Sequence, residues 1–433
     1  MRLILVDRSE NHRRQFWPLT LSRPIWELRC GITSLAEKLR AKVGTADVAY
    51  FVPDYLAEAY RERTDRPVND MAVLAGADVL ILDARIKAEA FALRLEPGAP
   101  ITGHSEVTVD EQGEVLCALI GKGDLKKVQG ANIEAFLACA KAKLPTVRND
   151  GLPLWQYTWD LMLASPHQIT ADFAALGRQG IEGTIEEPAG LRGSKQDVYI
   201  APGVTVHPMV VIDAANGPVY IDEGAEIHPF TRIEGPCYIG KKSILLGTKC
   251  REGNSIGPYC RIGGELEESV IQGYSNKYHD GFLGHAYVGE WVNLGALTTN
   301  SDLKNDYSTV SVMLDGKHSI DTGSTKVGSL IGDHTKTSIG VLFNTGSVVG
   351  AMAIIMATGK PLPKFIPSFA WFIEGVVTKG FGRKVLYGTA RTAMGRRKQT
   401  WTPAQEAMWD KIFEMTAQPR DEAVKRGRRA MMK

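Results

Sequence analysis

Between Asn276 and His285 the chain reads Asn-Lys-Tyr-His-Asp-Gly-Phe-Leu-Gly-His, which puts two imidazoles, an ammonium and a carboxylate within ten positions. An imidazole titrates near neutrality, so His279 or His285 can take a proton from an attacking nucleophile if an acceptor orients its second nitrogen. Asp280 and Glu290 are near enough in sequence to be that acceptor. A lone histidine also has a purely structural reading, and residue type alone does not choose between them. The six cysteines (Cys30, Cys117, Cys139, Cys237, Cys250 and Cys260) are scattered and form no CxxC pair. This argues against zinc ligation and for free thiols in a reducing cytoplasm.

The elements that must position these residues are legible from a period. Aliphatic residues recur every sixth position: Ile200, Val206, Ile212; Ile221, Ile227, Ile233; Ile239, Leu245; Ile256, Ile262; and later Val288, Leu294. A helix repeats every 3.6 residues and a strand every two. A step of six instead predicts a flat-sided coil of short parallel strands with one apolar residue per side pointing inward. Gly and Pro mark its corners at Ala201-Pro-Gly, Asn216-Gly-Pro, Gly235-Pro and Gly257-Pro. The period breaks at Asn216–Val219 and at Gly263–Phe282, where loops are expected to leave the coil. It lapses again over Thr298–Lys326.

Residues 1–150 alternate apolar runs (Leu3–Val6, Val48–Val52, Val79–Leu82) with helical patterns (Ser34–Ala41, Tyr55–Arg63, Ala131–Lys143). That pattern predicts a Rossmann-like α/β domain with a mostly parallel sheet. Residues 151–196 form a connector, helical over Ser165–Leu176, and 197–375 the coil. A basic extension, 376–433, contains a helix at Pro403–Met415. From Val377 onward there are 14 Lys/Arg against 5 Asp/Glu, a net of +9, so the first 376 residues carry −7 of the total +2. The tail lacks interleaved aromatic and basic residues, which argues against nucleic acid. No apolar run reaches the length of a membrane span or a signal segment, and a cytoplasmic protein without membrane contact is expected.

The coil resembles the left-handed parallel β-helix of hexapeptide-repeat acyltransferases. The handedness is implied by that resemblance, since general chirality rules favour right-handed crossovers. Leu283-Gly-His-Ala-Tyr-Val-Gly-Glu-Trp-Val-Asn-Leu-Gly-Ala296, with His279 before it and Asn300–Tyr307 after it, is similar to the acetyltransferase half of the bifunctional UDP-N-acetylglucosamine pyrophosphorylase/glucosamine-1-phosphate N-acetyltransferase family. Trp17-Pro-Leu-Thr-Leu-Ser-Arg-Pro-Ile-Trp-Glu-Leu-Arg-Cys-Gly31 resembles the opening of the sugar-nucleotidyltransferase domain in a divergent branch of that family. The resemblance covers about residues 1–375. It implies an N-terminal nucleotidyltransferase-like domain and a C-terminal acyltransferase.

Counted on the family motif, the general base is His279, fourteen residues before Asn293. Asn293 falls where relatives contact the acceptor sugar or acyl group, with a structural ladder role as the other reading. Asn300, Asn305 and Tyr307 fall in the acceptor-binding loop. Coenzyme A would lie along the later coils near Lys336, Thr337 and Gly346–Gly350. Two positions depart from the pattern: Glu267 stands where the family has its phosphate-binding lysine, and Phe282 where it has a tyrosine. Lys277, Arg261 or Arg251 would have to replace that lysine, or the acceptor is not a simple sugar 1-phosphate. In the N-terminal domain the glycine pair of the nucleotide loop is missing and Ile25 follows Pro24 in place of lysine. Arg14, Thr20, Arg23 and Arg29 are the nucleotide- and phosphate-binding candidates, with structural ion pairing as the alternative. Asp78 and Asp83 are Mg²⁺ candidates by position only.

The expected substrates are therefore acetyl-CoA, an amino-sugar phosphate and a nucleoside triphosphate, with Mg²⁺ if the nucleotidyltransferase is active. A homotrimer is expected, because flat coil faces close as rings of three. The alternatives are an enzyme keeping one of the two activities, or a non-catalytic solenoid that binds a ligand or partner. The tail is either solvated surface or closes over the coenzyme A 3′-phosphate of a neighbour.

Overall fold

A computed structural model describes residues 1–88 and 105–432. The chain divides into two compact units: one of residues 1–13, 23–28 and 33–156, the other of 14–22, 29–32 and 157–433.

In the first unit the three apolar runs are strands β1 (Arg2–Val6), β2 (Val48–Phe51) and β3 (Val79–Asp83), all parallel with β1 in the middle. Strands β4 (Glu106–Val109), β5 (Val115–Ile120) and β6 (Thr146–Arg148) complete a six-stranded sheet in the order β2-β1-β3-β5-β4-β6. β5 runs antiparallel to both β3 and β4 while the other five strands all point one way, so the sheet is mostly parallel with one reversed strand. Ile4, Ile81, Val107 and Ala118 form its buried core with Ile133, Phe136 and Ala140 of helix α3 (Ile133–Lys143). Helices α1 (Leu35–Val43) and α2 (Asp54–Arg61) lie between the parallel strands in sequence. α1 opens on a capping box, with the Glu37 carboxylate accepting from Ser34 N at 2.7 Å, and ends on left-handed Gly44.

The second unit is a parallel β-solenoid, and each aliphatic residue of the six-step series is at most 3% exposed. One inward row runs Ile200, Ile221, Ile239, Ile256, Ile271, Val288, Ile331, Val349, Ile366 through consecutive parallel pairings. A second runs Ile185, Val206, Ile227, Leu245, Ile262 and then Lys277. A third runs Leu191, Ile212, Ile233, Cys250, Leu266, Leu283. The coil begins at Gly180, which pairs with Tyr199, a full turn before residue 197. Helix α4 starts at Thr158, seven residues before Ser165, and carries Pro166 inside it. Ile169 and Phe173 of α4 join the solenoid core, a tertiary gain that outweighs the helix-breaking preference of proline.

The expected loop at Gly263–Phe282 does not leave the coil. Arg261 pairs with Asn276 and Ser255 with Val270, so this turn is complete in fifteen residues. The period fades there because Lys277 occupies an aliphatic slot. The later lapse is a true excursion, containing the antiparallel pair Ser311–Val312 and Ile320–Asp321.

The tail forms three helices: α5 (Arg383–Gly395), α6 (Pro403–Met415) and α7 (Ala417–Met431). Thr402 caps α6 by accepting from Gln405 N, with Pro403 at its first position. α6 docks on one coil corner, where Tyr259, Tyr274, Trp291 and His334 stack at centroid separations of 4.9, 4.4 and 6.1 Å. Trp409 meets His334 at 5.6 Å, and Phe413 meets Phe369 at 5.1 Å.

Candidate functional site

One outward row of the solenoid runs Thr184, Thr205, Glu226, Ile244, Arg261, Asn276, Asn293, Lys336. Stacking brings residues a coil apart in sequence to hydrogen-bonding distance, and Asn276 Nδ2 donates to Asn293 Oδ1 at 3.1 Å. From the tail, Arg397 donates to Asn276 Oδ1 at 3.0 Å. Asn276, Trp291, Asn293, Lys336, Arg396 and Arg397 line a cavity of 590 Å³ whose lining contains no carboxylate. Burial pulls Lys336 down to about 8. Burial also lowers Arg397, and its cationic neighbours Arg261 and Arg396 lower it further. Positive charge with no carboxylate in the lining gives the cavity a cationic wall that suits an anion. Neither Asn276 nor the Arg396-Arg397 pair was nominated from sequence. The seventeen-residue step from Asn276 to Asn293 was the available signal, but it becomes informative only once the coil length is known.

Three residues beyond Asn276, His279 sits exposed at a coil corner, edge-on to Tyr278 at 5.9 Å. Its ring makes no hydrogen bond or ion pair with any described residue, so neither Asp280 nor Glu290 orients it here. Lys277 points into the coil, not toward an acceptor: Nζ donates to Gly263 O at 2.9 Å and to His279 O at 2.5 Å. Desolvation brings its pKa down to about 8. His285 is buried, with Nδ1 2.8 Å from Asp302 and Nε2 3.3 Å from Glu268. Although burial opposes the charge, these two carboxylates lift its pKa to about 9. His285 is thus an imidazolium at neutral pH and cannot accept a proton. Glu267 is neutralised by Arg251 at 2.5 Å and Lys326 at 2.9 Å, so the acid that breaks the motif is part of an ion-pair network.

The remaining solenoid candidates separate. Asn300 faces inward, and its amide is used by both backbone groups of Gly284, at 2.8 and 2.7 Å. Asn305 and Tyr307 lie on an exposed loop, with Tyr307 72% exposed. Thr337 is buried, its hydroxyl accepting from Gly295 N at 2.9 Å and paired with Thr298 at 3.0 Å. Of the two coenzyme A candidates, Lys336 lines the 590 Å³ cavity and Thr337 is not in its lining.

In the first unit, a cavity of 470 Å³ opens at the carboxyl ends of the parallel strands, where α/β sheets bind nucleotides. Asp7, Arg8, His12, Asp83, Glu134 and Lys141 line it. None of Arg14, Thr20, Arg23 and Arg29 does. Arg14, Thr20 and Arg29 belong to the solenoid unit, where Arg14 packs on Trp17 at 5.3 Å and Arg29 on Tyr238 at 5.2 Å. Arg23 is buried in the first unit, its carbonyl accepting from Arg13 at 3.2 Å. The four were grouped by closeness in sequence, and the fold disperses them.

As to Mg²⁺, Asp78 lies at the opposite end of β3, capping Lys122 N at 2.8 Å. Asp83 is clamped by Arg85 at 2.9 and 3.2 Å, and Asp7 is buried against Arg13 and Ile25 N. Burial, offset in part by Arg13, holds the Asp7 carboxyl above its usual value. Among the described residues of this unit no trio of ligands converges, so the donor set does not fit a preassembled Mg²⁺ site.

Fold and pockets together define an α/β unit, with a cleft at the carboxyl ends of its parallel strands, joined in one chain to a hexapeptide-repeat parallel β-helix. Residues 3–179 match the sugar nucleotidyl transferase family. The chain is similar to a bifunctional sugar-1-phosphate nucleotidylyltransferase/acetyltransferase of Sulfurisphaera tokodaii, 38% identical over 151 residues, 32% of this chain and 35% of that one. It is also similar to the bifunctional protein GlmU of Thermotoga petrophila, 28% identical over 183 residues, 38% of each chain. The chain therefore spans little more than a third of the length of these curated relatives. Among solved structures, a UDP-N-acetylglucosamine acyltransferase aligns with 15% identity and a TM-score of 0.25, over 55% of this chain and 89% of that one. Among the described residues no helix is long and apolar enough to cross a membrane.

Proposed function

We propose that this chain is a cytoplasmic enzyme of sugar-nucleotide biosynthesis. Its solenoid transfers an acetyl group from acetyl-CoA to the amine of an amino-sugar phosphate, and its N-terminal unit forms an NDP-sugar from a nucleoside triphosphate and a sugar 1-phosphate. The observation that carries the acetyl-transfer reading is the carboxylate-free cavity lined by Asn276, Asn293, Lys336, Arg396 and Arg397, with His279 exposed three residues along the chain from Asn276. Both substrates of such a reaction are phosphorylated, and cations without counter-ions are what they require. The amine attacks the thioester carbonyl, His279 takes the proton released by the nitrogen, and as the C–S bond breaks and the amide forms the departing thiolate receives that proton to become free CoA. His285, already protonated, is unsuited to that role.

The first unit's cleft would meet the triphosphate with Lys141, and with Arg8 on exchange of its Asp54 and Glu134 partners for phosphate. A second reading, in which only acetyl transfer survives, is favoured by the clamped state of Asp7 and Asp83. Incubating purified protein with acetyl-CoA and a panel of amino-sugar phosphates, glucosamine 1-phosphate among them, should release CoA. Pyrophosphate release from UTP and sugar 1-phosphate with Mg²⁺ separates the two readings. No CoA from any acceptor would leave the solenoid as a binding module.

A further inference from the structure

Three coils before Asn276 on the same row, a second group of polar side chains converges that acetyl transfer does not use. His207 and His228 follow the inward residues Val206 and Ile227, which pair directly, so the two imidazoles stack one coil apart with ring centroids 5.1 Å apart. Glu226 stands between them. Its Oε1 lies 3.1 Å from His207 Nε2 and 3.4 Å from His228 Nε2. The three residues offer ligand atoms that all lie within 4.8 Å of one another. On the far side of His207, Nδ1 is 3.0 Å from Glu186 Oε2, one coil earlier.

We propose that His207, Glu226 and His228 form a binding site for a divalent transition-metal cation of the zinc type, with Glu186 orienting His207 from behind. Zinc holds nitrogen and oxygen ligands at about 2.0–2.1 Å in a tetrahedron, which sets neighbouring ligand atoms about 3.3 Å apart. The two spacings to Glu226 Oε1 bracket that edge. A metal-bound histidine characteristically donates its other ring N–H to a carboxylate, which fixes the tautomer. Glu186 supplies that acceptor for His207. The backbone is already committed, because Glu226 lies in registered parallel pairing with Thr205 and Ile244, and His207 and His228 donate their backbone N–H to Ile227 O and Leu245 O of the next coil, each at 2.9 Å. Two imidazoles and one carboxylate select a borderline cation over Ca²⁺ or Mg²⁺, which prefer oxygen-only sites. All three side chains are half-buried, leaving the fourth position to solvent. The site lies about 14 Å from Asn276, three strand spacings along the face, so it is separate from the acetyl-transfer pocket. Its role would be to staple successive coils.

The test is equilibrium dialysis of the chelator-stripped full chain against Zn²⁺, with the visible spectrum of the Co²⁺ form as a second readout. One Zn²⁺ per chain is expected, with Co²⁺ bands of a nitrogen–oxygen site that lack thiolate charge transfer. Removing even an outer-shell partner costs up to about 100-fold in metal affinity, so His207→Ala and His228→Ala should each weaken binding by at least that much. Glu186→Gln should weaken it less. Circular dichroism of both histidine variants checks folding, which half-buried substitutions should not disturb. Binding that survives the His207→Ala/His228→Ala double variant, a Co²⁺ spectrum with thiolate bands, or no binding at micromolar Zn²⁺ would each overturn the assignment. CoA release by either variant is expected to be unchanged, so failure here is distinguishable from failure of the acetyl-transfer reading.

Discussion

His285 and Lys277 flank the exposed His279 and respond to pH with opposite sign. The folded pKa of His285, about 9, exceeds its ordinary 6.5. Its stabilisation is therefore complete below 6.5 and is lost as pH rises through 9, a loss of about 3 kcal/mol. The same contacts depress Glu268 and Asp302, whose contribution is present above their usual values and fades on acidification. Urea midpoints at pH 6.5 and 9.5 should fall further for the native chain than for His285→Asn; equal falls would dismiss the ion-pair account. Lys277, depressed to about 8, is charged in the folded state at neutral pH at a cost. Lys277→Met fits the aliphatic row and should raise stability at pH 7 by about 1–3 kcal/mol. It also frees the carbonyl of His279, so kcat for acetyl transfer should drop while KM holds. His279→Ala should abolish CoA release with an unchanged melting curve, and undiminished release would remove His279 as the base.

Among the elements, the inward rows carry the stability and the tail carries the pocket. Ile227 is completely buried in the second row, and Ile227→Ala should cost about 2–5 kcal/mol, measurable as a lowered denaturation midpoint. Arg397 follows α5 and reaches Asn276 with one charged hydrogen bond. The same guanidinium lines the cavity, where a charged hydrogen bond to a substrate phosphate would contribute about 1.5–3 kcal/mol, so Arg397→Ala should lower kcat/KM for acetyl transfer by about tenfold or more, with a modest fall in melting temperature from the lost bond to Asn276. A fully active Arg397→Ala protein would mean the tail is only a buttress. Of the three tail helices only α6 was legible, because Thr402-Pro403 and the aromatics announce it. α5 and α7 are amphipathic but rich in cations and poor in large aliphatic anchors, so their sequences read as solvated tail. α4 was read short because Pro166 suggests a boundary, while contact with the solenoid core overrides it.

For the whole molecule, two pockets in two units predict separable activities. Arg8→Ala should suppress pyrophosphate release from UTP and sugar 1-phosphate while leaving CoA release intact. Loss of both would argue for a single shared site. Light scattering should give the mass of a trimer, the assembly that flat solenoid faces favour; a monomer would count against it.

The sequence by itself determined the solenoid, because a six-residue aliphatic step has no other economical explanation and every residue of that series is buried. It also determined the α/β character of the first unit. Only the tertiary structure decided which polar residues share a space. Lys277 and Asn300 face inward, the four arginine-segment candidates disperse between units, and Arg396-Arg397 arrive at Asn276 from more than a hundred residues away. Periodicity is a local property of backbone geometry and can be read along the chain, whereas a binding site is a meeting of residues distant in sequence. That meeting is fixed by coil length and packing, and here by a fifteen-residue turn whose brevity one buried lysine concealed.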